Sequence, residues 1–192
     1  MNVTSKPNLK PWRQIDQNEV INLYAHTEAT VNKGTFVKLS VADGNTSVAD
    51  GSGSAHLGYD TAFAGFNDPS RATVLRPVVN WKVATADSGS VVLGVTLFDV
   101  VESNAFGEKY IFRPWHERAR DQVVPSGGAV PILARGFVKL NAINGTAGPG
   151  SGGAVRNTSG TLDVVAYSST DTVGKFLSST DAQGYAIFKV EL

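Results

Sequence analysis

The chain contains no cysteine, which removes disulfides, thiolate metal ligands and cysteine nucleophiles together. Charge is also sparse: 18% of the 192 residues are charged, against roughly 25% in an average soluble protein. Seventeen basic residues balance seventeen acidic ones, whereas a general nucleic-acid binder carries a basic excess, so no direct nucleic-acid partner is expected. No apolar run approaches the roughly 18 residues of a membrane-spanning helix, and none is expected to enter a bilayer. The opening Met1-Asn2-Val3-Thr4-Ser5-Lys6-Pro7 has no apolar core of the kind a signal peptide needs. The expectation is a protein made in a cytoplasm and not glycosylated. The sequons at Asn2, Asn45, Asn144 and Asn157 are ordinary for a chain rich in Asn, Ser and Thr.

What is present reads as strands and turns. The hydrophobic fraction of 42% is globular, and 20 glycines punctuate short β-branched runs. The final stretch, Ala186-Ile187-Phe188-Lys189-Val190-Glu191-Leu192, alternates with period two: Ala186, Phe188, Val190 and Leu192 share one face. Residues 35–39 alternate similarly, with Thr35, Val37 and Leu39 on one side and Phe36 and Lys38 on the other. Residues 91–101 are apolar on both faces apart from Gly94, Thr96 and Asp99, which predicts one central buried strand with a bulge or close backbone approach at Gly94. Short strands separated by turns every 8 to 12 residues predict an all-β fold, a single antiparallel β-barrel or sandwich. Arg135-Gly136-Phe137-Val138-Lys139-Leu140 echoes Lys33-Gly34-Thr35-Phe36-Val37-Lys38-Leu39 about a hundred residues earlier.

Two segments depart from this rhythm. Residues 1–18 contain Pro7 and Pro11 and no apolar period, which predicts an extended arm preceding a domain over 19–192. Trp12, beside Arg13, is expected to dock on its own domain or on a neighbour. Residues 102–130 form an insertion rich in aromatics and Arg, with Pro114 placed to open a short helix over 115–121. A Gly/Ser/Asp loop is expected over 42–58, and residues 59–66 carry three aromatics without clear period.

No constellation for catalysis, cofactor or metal emerges. Gly148-Pro149-Gly150-Ser151-Gly152-Gly153 matches G-x-G-x-x-G formally, but the dinucleotide fingerprint needs a helix after it, where its N-terminus meets the pyrophosphate. Here a strand-like Val155 follows, so a plain turn is expected. His26, His56 and His116 are far apart, and adjacent His116 and Glu117 point to different sides of a helix. Asp99 and Glu102 read as solvated strand ends. The one concentration is Tyr110-Ile111-Phe112-Arg113-Pro114-Trp115-His116-Glu117-Arg118. Aromatics mixed with Arg occur in protein interfaces and on single-strand nucleic-acid platforms; packing beneath the insertion is the alternative. The candidate interface residues are Trp12, Arg13, Tyr110, Phe112, Arg113, Trp115, Arg118 and Arg120.

The order of phrases resembles the head decoration, or cement, proteins of tailed phages, which are small Cys-free β-barrels. The phrases are Gly34-Thr35-Phe36-Val37-Lys38-Leu39, Val92-Leu93-Gly94-Val95, Arg135-Gly136-Phe137-Val138, Pro149-Gly150-Ser151-Gly152-Gly153-Ala154-Val155, Gly160-Thr161-Leu162 and Val173-Gly174-Lys175-Phe176-Leu177, followed by the alternating end. The resemblance spans roughly 25–101 and 132–192; the arm, the loop at 42–58 and the insertion depart from it. It implies a structural virion protein on the outer capsid surface at capsomer junctions, partnered with the major capsid protein, as a homotrimer or dimer, without catalysis or cofactor. A carbohydrate- or receptor-binding β-module of a spike or fibre, with Trp115 or Tyr59 lining a groove, is the alternative. A virion-associated hydrolase is the third reading.

Overall fold

The computed structural model describes residues 8–12, 15–22, 24–28, 30–41, 81–104 and 106–192. In chain order the strands are β1 (Leu9–Pro11), β2 (Val20–Ile21), β3 (Phe36–Val41), β4 (Trp81–Thr85), β5 (Val92–Thr96), β6 (Asp99–Val100), β7 (Val123–Val124), β8 (Ile132–Leu133), β9 (Arg135–Leu140), β10 (Ile143–Asn144), β11 (Gly152–Ala154), β12 (Leu162–Val165), β13 (Thr172–Phe176) and β14 (Ala186–Glu191). Among the described residues one α-helix, α1 (Trp115–Asp121), lies between β6 and β7. The described residues are therefore almost all β, as the turn spacing predicts. The predicted loop at 42–58 and the aromatics at 59–66 lie outside the described residues.

The strands form a seven-stranded sheet in the order β1-β9-β14-β13-β11-β12-β10, a five-stranded sheet in the order β2-β8-β5-β3-β4 and a two-stranded sheet of β6 and β7. A single apolar cluster joins the first two. Leu9, Val138, Leu140, Leu162, Phe176, Ala186, Phe188 and Val190 come from the first sheet, and Phe36, Val95 and Leu133 from the second. At its centre Phe188 meets Phe36 edge-on at 6.2 Å and Phe176 at 4.8 Å. The ring lies where Gly153 and Gly174 leave room: a Cβ on Gly153 would sit 2.7 Å from the Phe188 ring, and one on Gly174 2.8 Å. Both glycines are thus required by packing. The alternation read in β14 is correct in phase, with Ala186, Phe188 and Val190 buried.

Every phrase behind the family resemblance falls on this core. The run Gly148 to Gly153 is a turn closed by Ser151, whose Oγ accepts the Gly148 N–H at 3.0 Å, and it leads into β11 rather than a helix. Gly94 is also a close approach, its Cα position facing the Leu133 carbonyl, with a register irregularity on the neighbouring β3.

Several expectations are corrected. Residues 91–101 do not make one strand: the chain bends between β5 and β6, where the Leu97 N–H donates to Pro131 O at 2.9 Å, and Val91 is 90% exposed. In β3 the two faces alternate as read, but burial does not follow one of them. Phe36 enters the main core, Val37 joins a second cluster with Val83 and Ile132, and Leu39 is exposed. The bulge beside Lys38 and the cover on both faces at the strand's start account for this. The echo between β3 and β9 is not a structural repeat: Phe36 points into the core, whereas in β9 Val138 and Leu140 do so and Phe137 lies on the opposite face. A 3-10 turn at Gln17–Glu19 precedes the short β2. Pairing is not wholly antiparallel. The β6–β7 and β10–β12 pairs are parallel, since each is joined by a long crossover containing other structure. Part of the N-terminal segment is built into the sheet: β1 pairs with β9, and Leu9 is buried.

Truncating Phe188 to Ala should cost about 3–5 kcal/mol, and Gly153→Ala about 1–3 kcal/mol through overpacking; urea unfolding measures both. A pH dependence follows from Asp181, whose carboxylate pairs with Lys139 at 2.8 Å and accepts the N–H groups of Tyr185 and Gln183, each at 2.9 Å. Lys139 first, then the Tyr185 N–H, pull its pKa down to about 2, below the unfolded value of about 3.9. Its stabilisation is therefore complete above about pH 4 and is lost as pH falls towards 2. Asp181→Asn should flatten the stability–pH slope in that window, and an unchanged slope would contradict the assignment.

Candidate functional site

The insertion is a braced projection from β6 and β7. Its base is a small apolar cluster of Val31, Val100, Val124 and Val130, with Phe98 packed against it. After β6, Asn104 organises a tight turn: its Oδ1 accepts the Phe106 N–H at 2.9 Å and the Glu108 N–H at 3.0 Å, and its Nδ2 donates to Glu108 at 2.8 Å. The apolar side chain at the tip of that turn, Phe106, is 88% exposed. The Tyr110 N–H then donates to Glu102 O at 3.0 Å, starting a 3-10 turn at Tyr110–Phe112. Tyr110 is buried, and its burial rotates its two successors outward, leaving Ile111 61% and Phe112 83% exposed.

Arg113 ties the projection together. It bonds Glu108 on one side and Glu117 at 2.8 Å on the other, linking the turn to α1. The Glu108 carboxyl is held below its ordinary range, by Asn104 first and then by Arg113. Pro114, with φ −55° and ψ 146°, is the N-cap of α1 rather than its first helical residue, and the helix covers the predicted span. Gln122, with φ 54°, ends the helix; its side chain accepts from Lys33 Nζ at 2.7 Å. Asp99 is structural too, accepting the Lys33 N–H at 2.7 Å, and Glu102 pairs with Lys109 at 3.2 Å.

The predicted site residues therefore fall into distinct roles. Tyr110 packs inward, with burial raising its phenol pKa. Phe112 faces solvent, and Arg113 is engaged by two carboxylates. Trp115 opens α1. Arg118 is half-buried, its Nε unpartnered, and Arg120 is exposed, 3.4 Å from Asp121. All of these belong to the insertion. Trp12 does not: it follows β1 on the seven-stranded sheet and is 48% exposed. Arg13 lies outside the described residues, as does His56. Sequence reasoning missed Phe106, although an aromatic between Asn104 and Gly107 is an apolar side chain placed in a turn, which is the signal to look for.

Elsewhere, Lys38, Asp87 and Ser90 adjoin an apolar cavity of about 280 Å³ lined by Leu39, Val91, Val92 and Leu93. Ser90 Oγ donates to Asp87, and Lys38 pairs with the same carboxylate at 2.7 Å. That carboxyl is held below its ordinary range by Lys38 first, a poor base for activating a hydroxyl; these contacts close the β4–β5 turn. Among the described residues no group of three or more His, Asp or Glu is placed to hold a metal ion. No known family matches the chain, and neither does any curated protein.

Tyr110 is the brace on which the exposed tip depends. Tyr110→Ala should raise amide exchange over 104–121 by about 100-fold, the factor for roughly 3 kcal/mol, and leave β14 protected. Unchanged exchange in the insertion would show that the brace lies elsewhere.

Proposed function

We propose that the chain is a structural virion protein that binds the outer capsid surface at capsomer junctions, with the major capsid protein as partner, and stabilises the filled head. The observation that carries this reading is the braced apolar tip of Phe106, Ile111 and Phe112. Three large hydrocarbon side chains exposed on one segment, which a frame of hydrogen bonds and ion pairs holds in place, support docking, because a concentration of exposed apolar side chains marks association sites. The ordered phrases of the family resemblance support the same reading, since all of them serve one sandwich core and leave the insertion free to vary. The homo-oligomer that the resemblance implies, a trimer or else a dimer, multiplies a modest contact per copy.

A carbohydrate site fits the tip poorly. Sugars are gripped by ring faces with free hydrogen-bonding neighbours, whereas the polar neighbours here, Asn104, Glu108 and Arg113, are committed to one another. No opposed pair of carboxylates supports the hydrolase reading in the insertion either, as Glu108 and Glu117 are both committed to Arg113.

The experiment is co-sedimentation with undecorated, expanded heads of the phage that encodes the protein. Wild type should pellet with the heads at saturating stoichiometry. Phe106→Ser/Phe112→Ser should lose at least about tenfold in affinity, the effect of removing interface anchors, with its melting temperature unchanged. Wild-type protein that stays in the supernatant, or a double variant that binds equally well, would overturn the reading.

A further inference from the structure

The second surface of interest is the outer face of the seven-stranded sheet. The charged residues of its four adjacent strands β1, β9, β14 and β13 are Lys10, Arg135, Lys139, Lys175, Lys189 and Glu191: five cations and one carboxylate. All six alternate with core residues and so share the solvent side. Register sets Arg135 opposite Glu191, but at the other two charged pairs it brings like charges together. Lys10 stands directly opposite Lys139, and Lys175 directly opposite Lys189. Such pairs destabilise a sheet, and two of them on one face of a chain with no net charge form a concentrated local excess.

Internal partners are too few to neutralise it. Asp181 reaches in to Lys139 at 2.8 Å, while Glu191 serves Lys189 and, at 3.9 Å, Lys175. Counting Asp181, these four strands keep a formal charge of five minus two, or +3, and Asp163 lies apart on β12, beyond β11. Three ammonium groups also rest on rings, Lys10 and Lys139 over Tyr185 at 4.4 and 5.5 Å and Lys175 over Tyr167 at 5.3 Å. Those contacts decide between polyanions. Single-stranded nucleic acid is held by bases stacking on open aromatic faces, and here lysines already occupy the ring faces. A flat, lysine-rich patch about 15 Å across four strands suits scattered carboxylates.

We propose that this sheet face is a docking surface for an acidic polypeptide, a carboxylate-rich surface or segment of a partner protein. The proposal is independent of the capsid reading, because its ligand chemistry is testable without a capsid. The probe is poly-L-glutamate, titrated by fluorescence anisotropy against the full chain, with single-stranded oligothymidylate as the competing polyanion. Polyglutamate should bind and weaken steeply between about 50 and about 200 mM NaCl. Lys175→Gln/Lys189→Gln, and separately Lys10→Gln/Lys139→Gln, should each lower affinity by about tenfold without lowering the melting temperature by more than a few degrees. Lys82→Gln, on β4 of the other sheet, should bind as wild type does. Absence of polyglutamate binding at low salt, equal affinity in both folded double variants, or tighter binding of the oligonucleotide would each overturn the proposal.

Discussion

The ring of Phe188 occupies space that only glycine can leave. Gly153 on β11 and Gly174 on β13 bring two backbones to within contact of it, and Phe36 crosses from the other sheet to meet its edge. The aromatic pair adds about 0.5–1.5 kcal/mol beyond burial, and the tight backbone approach fixes how far the two sheets stand apart. The remaining core residues, Leu133, Val138, Leu162 and Phe176 among them, fill the layer that this contact defines. The glycine-bearing phrases scattered through the sequence are therefore one device, distributed over β11, β13 and β14 and closed by β3.

A sandwich set this firmly tolerates excursions. Between β6 and β7 the chain leaves the sheets, builds a turn, a 3-10 turn and a helix, and returns parallel to its departure. The excursion has its own apolar base and its own ion-paired clamp at Arg113. Local bracing is what allows Phe106, Ile111 and Phe112 to stay in water, where unsupported they would collapse onto the nearest apolar surface. The outer face of the seven-stranded sheet has the opposite character, with charge in place of hydrocarbon. The two surfaces suit different modes of association: apolar anchors dominate residence time, and a field of lysines raises encounter rate and selects against basic partners.

Much of the scaffold was legible because it depends on period and turn residues. The alternation of β14, the glycine turn before β11, the helix after Pro114 and the close approach at Gly94 are all local patterns with one physical reading. What escaped depends on partners distant in sequence. The break between β5 and β6 is set by a hydrogen bond from Leu97 to Pro131, which no local pattern encodes. Leu9 sits in a polar, proline-bearing segment, and only β9 gives it a place in the core. The paired lysines appear singly as the polar positions of alternating strands; register alone sets Lys175 against Lys189. Within the insertion the composition pointed to the segment but not to the residues. Tyr110 and Phe112 are equally aromatic in sequence, and the 3-10 turn buries one while exposing the other.

The central claim is that this scaffold presents the insertion to a capsid. Cryo-electron microscopy of expanded heads with and without added protein tests it most directly. The account predicts additional density at the capsomer junctions, oriented so that the Phe106 to Phe112 tip meets the major capsid protein. Heads that gain no density, or gain it with that tip facing solvent, would contradict it.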